Sequence, residues 1–244
     1  MILLPGKKMD RNDDTLKRYL SESSRKYLSS MKEQHLFNKI PIFIQDDLFF
    51  LDNESNIKDV IKIIEKNIPS SFASMVDVVY IGDFMEFEKR QTNAAYKDGA
   101  IYVINVHDNA KDMADDIIHE MAHAIEDKYP NLIYGDREVQ REFLGKRERL
   151  YQILKSYGEP LVDKGYFDSP EYHPEFDMYL YETLGYEKLQ SYINGLFYSP
   201  YAVTSIHEYF ARGFEAYFLY KNIKQLASVS PMLYNKVELL ADME

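Results

Sequence analysis

The sequence predicts an α+β fold, and three observations carry that prediction. Short apolar runs of strand character are confined to the first 105 residues, one amphipathic helix falls among them, and the remainder reads as helices without further strands. Strand, helix, strands and then helices is not the regular alternation of a βαβ fold.

Taken in order, Asp13 to Lys32 is charged with an apolar stripe of Leu16, Tyr19, Leu20, Tyr27, Leu28 and Met31, which predicts an amphipathic helix within a helical N-terminal extension over 1–38. Lys39 to Gln45 (KIPIFIQ) reads as a strand. Asn56 to Lys66 reads as a helix, with Ile57, Val60, Ile61 and Ile64 at helical spacing. Met75 to Ile81 is a second strand, and Gly99 to Asn105 (GAIYVIN), short and flanked by polar residues, is a third with an edge position expected. Asp108 and Asn109 are N-cap types and Asp112 follows at cap-like spacing, so a helix runs from about Ala110 to Lys128. A charged helix follows from about Asp136 to Tyr157. The tyrosine-rich, proline-punctuated stretch through Pro200 is expected to be mostly loop with one short helix near Tyr186 to Asn194. Helices over Ser205 to Tyr220 and Pro231 to Asp242 close the chain.

At 244 residues the whole is expected to form one domain, 1–244, and its 45% hydrophobic content suffices for a substantial core. The formal net charge of -11 argues against nucleic acid, whose binding rests on clustered Lys and Arg. No run reaches the roughly 18 apolar residues of a membrane helix, and the apolar start before Pro5 is too short for a signal-peptide core, so a cytoplasmic protein is expected. With no cysteine, any metal chemistry falls to His and carboxylates.

The helix over 110–128 contains His119-Glu120-Met121-Ala122-His123. Residues four apart on a helix share a face, so both imidazoles can reach one metal while Glu120 lies beside the open coordination position. Met113, Ile117, Met121 and Ile125 form a stripe expected to be buried, and Asp115, Asp116, Glu126 and Asp127 are within range to orient a ligand imidazole. The extended HExxHxxGxxH motif is absent, because Glu126 and Tyr129 stand where its Gly and third His belong. A third ligand must then be distant, with Glu208, Glu215 and His173 as candidates. Ser205 and Glu208 equally match a capping box, in which Glu208 would only serve a backbone N–H.

Three segments resemble the anthrax lethal factor family of zinc peptidases, which includes the clostridial Pro-Pro endopeptidases. IIHEMAHAIEDKY is similar to that family's HExxHA helix, followed by an acidic residue; YAVTSIHEYFARGFEAYFL resembles its Tyr, six residues, then E[FY]FAE[AS]F; SPMLYNKVELL is similar to its closing helix. The resemblance covers the chain from Ile117 onward and implies a zincin-like fold, a small mixed sheet with GAIYVIN as the substrate-binding edge strand over the HExxH helix, and a helical C-terminal half. It implies one zinc ion per chain held by His119, His123 and Glu208, with Glu120 and Tyr201 catalytic: a gluzincin-type metalloendopeptidase acting on protein or peptide substrates. Two departures stand out. Glu208 lies 85 positions after His123 (208 - 123), so 129–200 is an insertion forming a lid, an exosite or, the favoured reading, a surface elaboration; and Arg212 replaces the family's second Glu, which Glu215 would then replace in function. The rival readings are a peptidase with His173 as third ligand, and an inactive zinc-stabilised protein-interaction module.

Overall fold

The computed structural model describes residues 32–45, 48–85, 87 and 92–243. The helix expected over Asp13 to Lys32 lies outside them, except at its last residue. Contacts along the chain divide it into two compact units, the first ending at Lys128 and the second beginning at Tyr129.

The first unit is built on a five-stranded mixed sheet in the order β1-β2-β4-β6-β5, from β1 (Lys32–Leu36), β2 (Ile40–Ile44), β4 (Val78–Gly82), β5 (Ala94–Lys97) and β6 (Ala100–Ile104); β3 (Phe49–Phe50) and β7 (Val106–His107) form a separate parallel pair. β1 corrects the helical extension expected through residue 38. Phe37 and Asn38 adopt left-handed backbone (φ 54° each), so the chain turns back and β1 pairs antiparallel with β2. β2, β4 and β6 are mutually parallel, with helix α1 (Ile57–Asn67) in the crossover between the first two. Asn56 caps α1: its side chain accepts the Lys58 N–H and Asp59 returns a bond to the Asn56 N–H.

Alternation along these strands buries both faces. Tyr80 and Tyr102 stack at 5.3 Å and join Phe84, Phe87 and Ala95 in one cluster. Val79, Ile81, Ile101 and Val103, at the intervening positions, are wholly buried with Val60 and Ile64 of α1. Each such aliphatic side chain contributes about 1.5–3 kcal/mol.

The edge beside β6 is not where the sequence puts it. GAIYVIN is an interior strand, and β5 is the edge, paired antiparallel with β6 through a two-residue turn. Asp98 (φ 46°) and Gly99 (φ 83°) both take positive φ, as a type I′ hairpin demands. A Cβ on Gly99 would meet Asp77 Oδ2 at 2.3 Å.

The second unit is helical: α3 (Pro130–Tyr134), α4 (Glu138–Ser156), α5 (Lys164–Asp168), α6 (Pro174–Met178), a π-helical turn (Tyr179–Leu184), α7 (Tyr186–Ile193), α8 (Ile206–Phe218), α9 (Ile223–Val229) and α10 (Pro231–Ala241). The stretch expected to be loop between 158 and 200 therefore holds two further short helices and the π turn, anchored by buried Phe167, Phe176, Leu180 and Leu189. Phe143 of α4 meets Tyr209 of α8 at 5.4 Å, and Phe167 meets Phe176 edge-on at 4.9 Å, so residues of 129–200 supply much of this unit's core. Among the described residues no helix is long and apolar enough to cross a membrane.

Candidate metal centre

The helix that holds the motif, α2 (Ala110–Lys128), starts where its caps require. Asn109 Oδ1 accepts the Lys111 and Asp112 N–H groups at 2.9 and 3.1 Å, and the Ala110 N–H donates to Ser55 Oγ. Met113, Ile117, Met121 and Ile125 are buried as expected, and so are Ala114, Ile118 and Ala122, so the burial extends well beyond one stripe. His119, Glu120, His123 and Glu126 are buried with them.

Burying four polar side chains on one helix is costly unless each has a partner. Glu126 Oε2 lies 3.2 Å from His123 Nδ1, a pairing that orients the ring and leaves Nε2 as the nitrogen that could ligate a metal. Of the other acids considered for this role, Asp116 instead pairs with His107 Nε2 at 3.1 Å, Asp115 is half-buried and Asp127 is exposed. The rings of His119 and His123 meet edge-on, 4.9 Å apart. Glu120 Oε2 accepts the Tyr96 N–H of β5 at 2.8 Å, so the carboxylate beside the ligands is tied to the edge strand.

On α8, Ser205 is the N-cap and its Oγ accepts the Glu208 N–H at 3.1 Å. That is one limb of the capping box, and Glu208 has a second attribute besides. His119, His123 and Glu208 are all buried, and each offers a ligand atom within 4.8 Å of the others. Among the described residues no other such group of three occurs. A buried His-His-Glu group of this kind can hold a metal ion.

The remaining candidates are not members of this group. His173 precedes α6, with its Nε2 2.8 Å from Ser169 Oγ. Glu215 is buried in an ion pair with Arg212 at 2.8 Å, and the Arg212 guanidinium lies 5.7 Å from the Tyr201 ring centre. Arg212 and Glu215 thus pair one turn apart on the helix.

Tyr201 opens a 3₁₀ turn (Tyr201–Val203) just before α8 and is buried. Burial first, then the charges of Glu208 and Asp177, pushes its phenol well above the ordinary tyrosine range. Asp177 is buried and accepts from two phenols, Tyr172 at 2.8 Å and Tyr186 at 3.1 Å. This cluster went unread in the sequence, because no periodic pattern joins Tyr172, Asp177 and Tyr186 to Tyr201. Its only signal is the density of tyrosine.

Compared with family models, with curated proteins and with solved structures, the chain matches none.

Proposed function

We propose that the chain is a zinc-dependent endopeptidase in which His119, His123 and Glu208 hold one zinc ion, Glu120 is the general base and Tyr201 steadies the oxyanion. The observation that carries this reading is the buried His119, His123 and Glu208 group, with all ligand atoms within 4.8 Å. Three protein ligands is the number of a catalytic zinc site, and two imidazoles with a carboxylate are donors that suit zinc. When bound, zinc supplies Lewis acidity, lowering the pKa of a water molecule and polarising the substrate carbonyl.

The chain's own residues supply the proton movements. Glu120 takes the proton of the attacking water at its carboxylate and later delivers it to the leaving amine. The Tyr96 N–H on Oε2 holds that carboxylate in one orientation. Tyr201 retains its phenolic proton, because burial and the neighbouring carboxylates oppose ionisation, and so it remains a donor to the oxyanion that forms at the carbonyl. The resemblance to the lethal factor family at Ile117 to Tyr129 and Tyr201 to Leu219 supports the same roles.

The test is incubation of the zinc-loaded protein with a diverse peptide library, read by mass spectrometry, with Glu120→Gln as the blank. Cleavage by the wild type, reduced about 10²- to 10⁴-fold in Glu120→Gln at unchanged zinc content, is the expected result. Equal cleavage by both proteins removes Glu120 as the base. No cleavage by a wild type that holds zinc replaces the enzyme with the inactive interaction module.

A further inference from the structure

Among the described residues Arg147 is the largest wholly buried side chain, and it pairs with no carboxylate. A buried, uncompensated guanidinium is costly, and burial lowers its pKa to about 9. It persists because all five of its N–H bonds are used. Nε donates to Val203 O at 2.8 Å; Nη2 donates to Val203 O and Thr204 O, each at 2.6 Å; Nη1 donates to Tyr166 O at 2.8 Å and to Ser169 O. The rings of Phe143 and Phe176 lie 4.6 and 4.7 Å from its central carbon.

The acceptors are not scattered. Val203 and Thr204 end the turn that Tyr201 begins, and Thr204 bonds back to the Tyr201 carbonyl through both its N–H and its hydroxyl. The next residue is Ser205, the cap on which the Glu208 N–H rests. Tyr166 and Ser169 belong to the 129–200 stretch, and the adjoining Pro170 carbonyl receives the Ile206 N–H at 2.8 Å. The entry to α8 is thus gripped from two sides, and Arg147 bonds to both segments.

We propose that Arg147 is the positioning residue of the metal centre, fixing the turn that holds Tyr201 and leads into the first turn of α8, where Glu208 stands, and that 129–200 is there to carry it. This rests on reading His119, His123 and Glu208 as a metal site, and it concerns how the site is held, whatever reaction follows. Lys146 is the matched control. It is the neighbouring buried cation, but it donates to Val229 O and Ser230 Oγ, both at 2.7 Å, and so secures the start of α10 instead.

The experiment measures the zinc dissociation constant by competition with a chromogenic chelator, well below the Tm of each variant. Arg147→Met is expected to weaken zinc about 10- to 100-fold, the range seen when a group that orients a metal ligand is lost. In a Glu208→Ala background the same substitution is expected to cost less than about threefold, since the ligand it positions is gone. Lys146→Met is expected to lower Tm comparably and leave zinc affinity within about threefold. Unchanged affinity in folded Arg147→Met, additivity with Glu208→Ala, or an equal loss in Lys146→Met each overturns the positioning role. Should Arg147→Met not fold, Arg147→Lys, which keeps the charge but at most three donors, is held to the same comparisons with Glu208→Ala and Lys146→Met. A wild type that binds no zinc overturns the metal site itself, an outcome distinct from any failure of Arg147.

Discussion

The helix Ala110–Lys128 and the helix Ile206–Phe218 each present candidate ligands, yet they hold them differently. On the first, His119, Glu120, His123 and Glu126 all lie within eight residues, and the orienting bond from Glu126 to His123 spans three positions. Backbone periodicity alone sets these relations. On the second, Glu208 stands in the first turn, beside a cap and a turn whose carbonyls are gripped by Arg147, 56 positions back. One arrangement is local and the other is tertiary. The first should therefore withstand distant substitutions, while the second should transmit them to the metal.

The largest effects come from the ligands. Structural zinc sites bind with about 10–16 kcal/mol, so losing one of a few ligands costs roughly 3 kcal/mol, on the order of a hundredfold in zinc affinity. His119→Ala, His123→Ala and Glu208→Ala are each expected to lose about this much by chelator competition. Full retention in Glu208→Ala with loss in both histidine variants would break the comparison at its second helix. Next comes Glu126→Gln, which removes the charge that orients His123. Zinc affinity is expected to fall about 10- to 100-fold with little change in Tm, and an unchanged affinity would detach Glu126 from the site.

The caps sharpen the contrast with smaller effects. Asn109→Ala and Ser205→Ala each remove an N-cap worth about 1 kcal/mol, which lowers Tm by about 2–4 °C for a chain of this size. Zinc affinity separates them: Ser205 meets the Glu208 N–H directly, whereas Asn109 lies ten positions before His119. Only Ser205→Ala is expected to weaken zinc, and equal behaviour of the two caps would erase the distinction.

A pH series provides a gentler probe of the second unit. Burial lowers the Lys146 pKa to about 8, against a partial opposing pull from Glu142 and a small reinforcement from Arg149. Between about pH 8 and the ordinary lysine range the unfolded chain binds the proton that the folded chain has released, so stability rises with pH in this window. Denaturant unfolding at pH 7.5 and 9.5 should reveal the gain in the wild type and a smaller one in Lys146→Met, where Arg147, lowered to about 9, still contributes. A gain of equal size in the variant would assign it to another group.

The same contrast governs how much was legible in the sequence. His119, Glu120, His123, the cap at Asn109 and the limits of Ala110–Lys128 could all be read, because each is a local relation at fixed spacing. Glu208 could be named but not separated from a capping residue by spacing, and the structure gives it both attributes. GAIYVIN was recognisable as a strand and misplaced as an edge, since strand order is decided by pairing with distant segments. Asp98-Gly99 is the local hairpin signal that marks β5 as its partner. Arg147 also left a trace. Val139, Phe143, Leu150 and Leu154 form the buried stripe of their helix, and Lys146 and Arg147 occupy its middle. A cation within an apolar stripe marks buried polar work, although its acceptors, being backbone carbonyls, have no sequence signature.

The bond between Tyr96 and Glu120 also bears on the protein's solubility. A strand at the margin of a sheet offers its outward N–H and C=O groups to any other extended chain, and so invites self-association. Here Glu120 accepts the Tyr96 N–H, and the Thr92 hydroxyl donates to the Ala94 carbonyl. Both groups are already engaged, so the margin does not offer these two to another chain. Truncating Glu120 to alanine would free the Tyr96 N–H and create a sticky edge, whereas glutamine keeps an oxygen able to accept it. The choice of Glu120→Gln as the inactive control thus guards against mistaking aggregation for lost catalysis.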